Sequence, residues 1–249
     1  HTHSHYSLLS AIPKIPELVG IAKAEKMEAL ALTDNGNLYG AIEFYKECKK
    51  AKIKPIIGVD FYISPRKRSD KEHNLDDKYS RIILLAKNFK GYQNLIKLVT
   101  LSNLEGFFYK PRIDKELLEK YKNGLIAILP AFNNEVSKSL NNSNEKQAEE
   151  KLLWYKNTYE ENLYLEITKH NDIENHAKLI ENIKSLGEKC SVELVASHGV
   201  YYLKPEEKRV LHVVESIQNN THEPYEDSGG DFSFLDEKTI LKNFENEPR

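Results

Sequence analysis

Short apolar runs alternate with amphipathic stretches along almost the whole chain. Ala29-Leu30-Ala31-Leu32-Thr33, Ile56 to Ile63, Ile82 to Ala86, Leu125 to Leu129, Leu163 to Ile167 and Glu193 to Ala196 have the length and content of buried strands. Between them, Leu18, Val19, Ile21 and Ala22 follow Ile15-Pro16 at helical spacing, and Ile42, Tyr45 and Cys48 repeat it before Lys54-Pro55. Tyr92 to Leu101, a stretch running through Leu153-Trp154, Asp172 to Leu186 and Pro205 to Ile217 read as further helices. With a short strand at the very start, the count is about seven strand-helix units. That rhythm predicts an α/β fold on a parallel sheet, either closed into a barrel or doubly wound. A barrel would carry its chemistry at the C-terminal ends of the strands.

Two polar stretches break the rhythm. Ser64 to Lys78, crowded with Arg, Lys, Asp and Glu, and Ser137 to Glu150, with Asn141-Asn142-Ser143-Asn144, read as solvated connections. Asn219 to Phe234, with Ser228-Gly229-Gly230, reads as an exit linker before a last short helix. The expected organisation is one domain over 1–218, then a linker and helix over 219–249.

With 249 residues, 40% of them hydrophobic, the chain is long enough for a sizeable core. Lys+Arg of 36 against Asp+Glu of 38 leaves a formal charge of −2, so contact with a polyanion would have to be local. Cys48 and Cys190 form no CxxC pair, which argues against both a disulfide framework and a thiolate metal site and fits a reducing, cytoplasmic setting. No apolar run approaches the roughly 20 residues of a membrane helix, so no membrane partner is expected. The chain opens inside its most informative motif and reads as a piece of something longer.

That motif is His1-Thr2-His3-Ser4-His5-Tyr6-Ser7. In extended chain alternate side chains face one way, so the three imidazoles would converge. Imidazole is the commonest metal ligand and titrates near neutral pH. More polar residues fall at strand ends: Asp34 and Asn35, Asp60, Arg81 at the start of its run, His170 and His198. Singly, Asp34 is an ordinary turn acid and either histidine an ordinary loop residue. Jointly they point to a metal or acid-base pocket.

Several blocks are distinctive in order: His1 to Leu9, Ala31-Leu32-Thr33-Asp34-Asn35-Gly36-Asn37-Leu38-Tyr39-Gly40-Ala41, Lys54 to Gly58, Leu84 to Asn88, and Glu105-Gly106-Phe107-Phe108-Tyr109-Lys110-Pro111-Arg112-Ile113-Asp114. Together they resemble the polymerase-and-histidinol-phosphatase (PHP) domain at the N-terminus of bacterial DNA polymerase III alpha subunits. The resemblance implies a distorted seven-stranded (β/α) barrel with a metal cluster at its mouth, which some members use for 3′-5′ exonuclease proofreading. Carried over residue by residue, it implies metal ligands at His1, His3, Asp34 and His170, with Asp60 in place of a longer Glu.

Other positions depart from the pattern: Ser10 stands for an acid, Asn35 and Arg81 for histidines, Ala131 for a cysteine, and Gly199 and Tyr201 for the closing Asp and His. Multi-metal hydrolysis needs a clamp on both the attacking and leaving oxygens. A permanently cationic Arg81 would instead neutralise Asp34 or Asp60. The expectation is therefore a degenerate site with no metal or a weakly bound zinc, manganese or magnesium ion, and Arg81 and Arg112 in ion-pair or phosphate contacts. The alternative is an active metal-dependent exonuclease or phosphoesterase. Implied partners are DNA, through a full-length polymerase, and proofreading and other replicase subunits. The acids of polymerisation would lie beyond residue 249.

Overall fold

The apolar runs do form strands. The computed structural model describes residues 1–221 and 229–245. Its strands are β1 (Ala29–Leu32), β2 (Lys54–Ile63), β3 (Ser80–Ala86), β4 (Arg112–Ile113), β5 (Leu125–Leu129), β6 (Leu163–Ile167) and β7 (Glu193–Ala196). Around them lie α1 (Ile15–Ala24), α2 (Ala41–Ala51), α3 (Phe89–Leu104), α4 (Lys115–Lys120), α5 (Glu135–Asn141), α6 (Glu145–Tyr159), α7 (His176–Cys190), α8 (Lys208–Asn219) and α9 (Glu237–Asn243). Of the exit segment expected over 219–249, residues 222–228 and 246–249 lie outside the described residues.

The strands make one strongly curled sheet in the order β1-β2-β3-β5-β6-β7, with β4 alongside the far end of β2. Residues 1–3 bridge its two ends. Thr33, just past β1, donates its N–H to the Thr2 carbonyl at 2.8 Å, while His3 N–H and the His1 carbonyl pair with Val200, beyond β7. Thr33 Oγ1 reinforces the seam by accepting from Thr2 N–H at 3.0 Å. The architecture is α/β, a half-barrel whose opening is spanned by the start of the chain.

The sheet is mixed, where the strand-helix rhythm predicts it parallel throughout. β3 runs antiparallel to both β2 and β5. The cause is the 64–79 connection: it contains no helix to carry the chain back across the sheet, so β3 returns alongside β2 in the opposite sense. In consequence the first residues of β3 lie at the same end as the last residues of the parallel strands, which brings Arg81 to the mouth.

The main core lies between sheet and helices, with Val59, Phe61, Ile82 and Leu84 against Leu95, Leu98, Leu152, Tyr155 and Ile183. A smaller core joins Ile15, Leu18 and Val19 of α1 to Leu30, Leu32, Phe44 and Val200. Each such fully buried aliphatic or phenyl side chain contributes about 1.5–3 kcal/mol.

Both polar stretches are more structured than their composition suggests. Ser137 to Glu150 contains most of α5 and the start of α6; Asn134 Oδ1 accepts from Val136 and Ser137 N–H at 2.7 and 2.9 Å, and Asn144 caps α6 through Gln147 N–H. The 64–79 loop wraps a fully buried Arg112, whose guanidinium donates to the carbonyls of Gly106, Asp76, Arg68 and Asp70. Gly106 is obligatory there, since a Cβ on it would lie 1.9 Å from the Arg112 carbonyl oxygen. Arg112 is thus the anchor of a loop, its guanidinium taken up by backbone carbonyls and not among the residues that line the pocket.

Candidate functional site

The cleft at the mouth is lined by His1, Asp60, Arg81, Phe132, Glu166, Thr168, His170 and Tyr201. His1 and His3 point the same way, as alternation requires, with ring centres 5.1 Å apart. Thr2 faces the other way, into the seam. His5 does not join them: the chain turns after Ser4, and the His5 ring packs at a tilt against Tyr6 with ring centres 4.2 Å apart.

Asp60 is the hub. Arg81 grips it with Nε 2.9 Å from Oδ1 and a terminal nitrogen 2.5 Å from Oδ2, and also hydrogen-bonds Asn35 Oδ1. The Tyr62 ring lies 4.4 Å from the guanidinium and fixes its plane. His1 Nε2 reaches Asp60 Oδ2 at 3.2 Å, and His1 Nδ1 reaches Glu166 Oε1 at 3.0 Å. Glu166 in turn accepts from Ala131 N–H at 2.9 Å. The result is a continuous chain of alternating charge: Glu166, His1, Asp60, Arg81.

The protonation states follow from that arrangement. Burial alone would discharge His1, but the Glu166 and Asp60 carboxylates raise its pKa to about 10. Burial would push Asp60 up, yet Arg81 and His1 hold it well below the usual carboxylate range. His3 stays neutral, because burial and the neighbouring His1 charge both lower its pKa. Its Nε2 is buried without a hydrogen-bond partner and lies 3.8 Å from Asp60, beyond bonding distance.

Asp34 sits beside this chain rather than in it. Its carboxylate accepts from Ser4 N–H at 2.7 Å and from the Ser4 and Ser7 hydroxyls at 2.8 and 2.6 Å, fixing the turn that follows His3. Burial raises its pKa against the pull of those hydrogen bonds. His170, beyond β6, is buried on the far wall, and burial with help from His198 and His176 lowers its pKa to about 4. Glu166 is the residue that sequence reasoning passed over. Its signal was there: a carboxylate between Leu165 and Ile167 in an otherwise apolar strand has to be paired.

Among the described residues, His1, His3 and Asp60 form the one set of three His, Cys or acidic side chains whose ligand atoms all lie within 4.8 Å of one another. By distance they suit a single divalent ion. By chemistry only His3 Nε2 offers a free lone pair; His1 holds its proton between two carboxylates, and both Asp60 oxygens face Arg81. A metal ligand must be deprotonated and unencumbered. An ion at this group would have to displace the proton on His1 and compete with Arg81 for Asp60.

The curled sheet, the paired imidazoles on its first residues and the acid in β2 agree with what sequence comparison finds. The PHP domain profile matches residues 1–170, and the chain belongs to the PHP domain family. It is 40% identical over 222 residues to the DNA polymerase III subunit alpha of Borreliella burgdorferi, covering 87% of this chain and 19% of that protein. With the Aquifex aeolicus DNA polymerase III subunit alpha it shares 38% identity over 257 aligned positions, covering 98% and 22%. The chain thus spans about a fifth of the length of these relatives. In fold it matches an amidohydrolase from Chromobacterium violaceum, solved with bound sulfate and no metal, at a TM-score of 0.52 and 11% identity over 86% of this chain and 95% of that one.

Proposed function

We propose that this chain is the PHP domain of a replicative DNA polymerase alpha subunit in which ion pairs, rather than a metal cluster, hold the pocket together. The observation that carries the reading is Arg81 seated on both oxygens of Asp60. A cation fixed covalently in the fold supplies the charge an exchangeable ion would otherwise bring, and it offers no open position where water could become a nucleophile. On this reading the domain stabilises the polymerase and presents a surface to proofreading and other replicase subunits, and DNA is reached through the rest of the polypeptide. Among the described residues no helix is long and apolar enough to cross a membrane.

The test is trimming of a mismatched primer with and without added manganese. No 3′-5′ shortening above blank is expected in either case. Manganese-dependent shortening that disappears in His3→Asn would overturn the reading and establish the second one, an active metal-dependent exonuclease. That second reading draws its support from the unpartnered His3 Nε2 and the spacing of its group.

A further inference from the structure

Residues 229–234 cross the mouth of the cleft as a short strap outside the sheet and the helices. Its central side chain, Phe232, is one of the residues that line the cleft. The phenyl ring lies between the walls, with its centre 4.7 Å from that of His170 and 5.9 Å from that of Tyr201, and is itself only half-buried. With the ring seated, the cleft holds about 60 Å³. That is room for a few waters, where a small-molecule site usually offers roughly 300 Å³ or more.

The strap is held lightly at the cleft and firmly at one end. Tyr201 N–H donates to the Phe232 carbonyl at 2.9 Å, Phe232 N–H donates to the Tyr202 hydroxyl at 2.8 Å, and Gly230 N–H donates to Asp172 Oδ2 at 2.8 Å. Beyond Phe232, Ser233 is buried and Phe234 packs against the smaller core, which fixes that end. Before it stand Gly229 and Gly230, both left-handed with φ of +79° and +77°. A Cβ on Gly230 would lie 2.7 Å from the Phe232 ring and 2.9 Å from the Ile173 side chain, so the seated position of the ring requires this glycine. We propose that the strap is a gate: Phe232 closes the cleft when seated and swings out about the Gly229-Gly230 pair, with Phe234 as the fixed end, exposing the His170 and Tyr201 walls while the sheet stays folded. Segments attached by a few hydrogen bonds outside regular structure open at far lower cost than the core they cover.

The inference concerns the cleft of the proposed function but holds whether ion pairs or a metal occupy it, and its readout is access rather than chemistry. Diethyl pyrocarbonate is the probe, with modification of His170 at pH 7 followed by peptide mass spectrometry against the exposed His73 as internal reference. Gly230→Ala is expected to unseat Phe232 and raise the relative rate at His170 at least about tenfold with an unchanged circular dichroism spectrum. Tyr202→Phe removes one attachment and should raise it about two- to tenfold, the worth of one hydrogen bond, so a folding defect in the first variant leaves the second to decide. In the parent chain the Gly230 and Phe232 amides should exchange hydrogen at least about tenfold faster than those of β6. Unchanged His170 modification in the folded variants would overturn the proposal, as would strap amides that exchange only together with β6. Primer trimming, present or absent, leaves these readouts unmoved, so failure of the functional reading is recognised separately.

Discussion

The Arg81 guanidinium neutralises Asp60 and is fixed in the fold. Removing it strands a buried carboxylate, so Arg81→Ala is expected to cost about 3–5 kcal/mol in urea unfolding. Arg81→His has a different expected outcome: it releases Asp60 Oδ1 and leaves Oδ2 to His1 alone, and on the ion-pair reading calorimetry should show zinc or manganese binding at His1, His3 and Asp60 tighter than in the parent chain. Acid and alkali should act on different imidazoles. His1, whose folded pKa is raised, contributes stability that is complete below 6.5 and falls as pH rises toward about 10. His3, His170, His176 and His198 have lowered values, so the folded state binds fewer protons than the unfolded one below 6.5, and their contribution falls as pH drops. Asp60, held low by its partners, gives way only at still more acid pH. Urea midpoints should therefore peak near pH 6.5, and His1→Asn should flatten the alkaline limb most, with a smaller change on the acid side through His3 and Asp60.

Among the elements, the 64–79 loop behaves as a folded unit organised by one side chain from β4. Arg112→Met removes donors from four carbonyls in a dry site, each of which loses a hydrogen bond that is hard to replace. The expected result is a loss of at least about 3 kcal/mol and new protease cuts between Arg66 and Lys78, with the rest of the chain resistant. This arrangement was hidden in the sequence because salt-rich composition says nothing about a buried arginine contributed from a distant strand. The long strands and helices were legible, since runs such as Ile82 to Ala86 and the spacing of Leu179, Ile180 and Ile183 reflect burial directly. β4, with two residues, and α4, with six, are too short to show a period. The direction of β3 was set by what its connection lacks, which an apolar pattern does not record. At the mouth, His1, His3, Asp60 and Arg81 could be nominated from residue type and place along the strands. That Arg81 would take both oxygens of Asp60, and that Asp34 would be held by serines, depended on packing.

For the molecule as a whole, the half-barrel is completed by three residues rather than a full strand. Thr33→Val keeps the shape of the side chain but removes the hydroxyl that bonds Thr2 on both sides. A loss of about 1–2 kcal/mol is expected, with faster amide hydrogen exchange at His3 and Val200, whose N–H groups close the seam. No change in exchange at those two amides would mean that the bridge is held by the side chains of the cleft instead.

The same three residues also carry the imidazoles that touch Asp60 and Glu166. Any molecule that pries His1 from its carboxylates must pull on the backbone that joins one end of the sheet to the other, and whatever tightens that grip must draw the ends together. Events inside the cleft should therefore be felt on the outside of the cylinder, as slower or faster breathing of the whole wall.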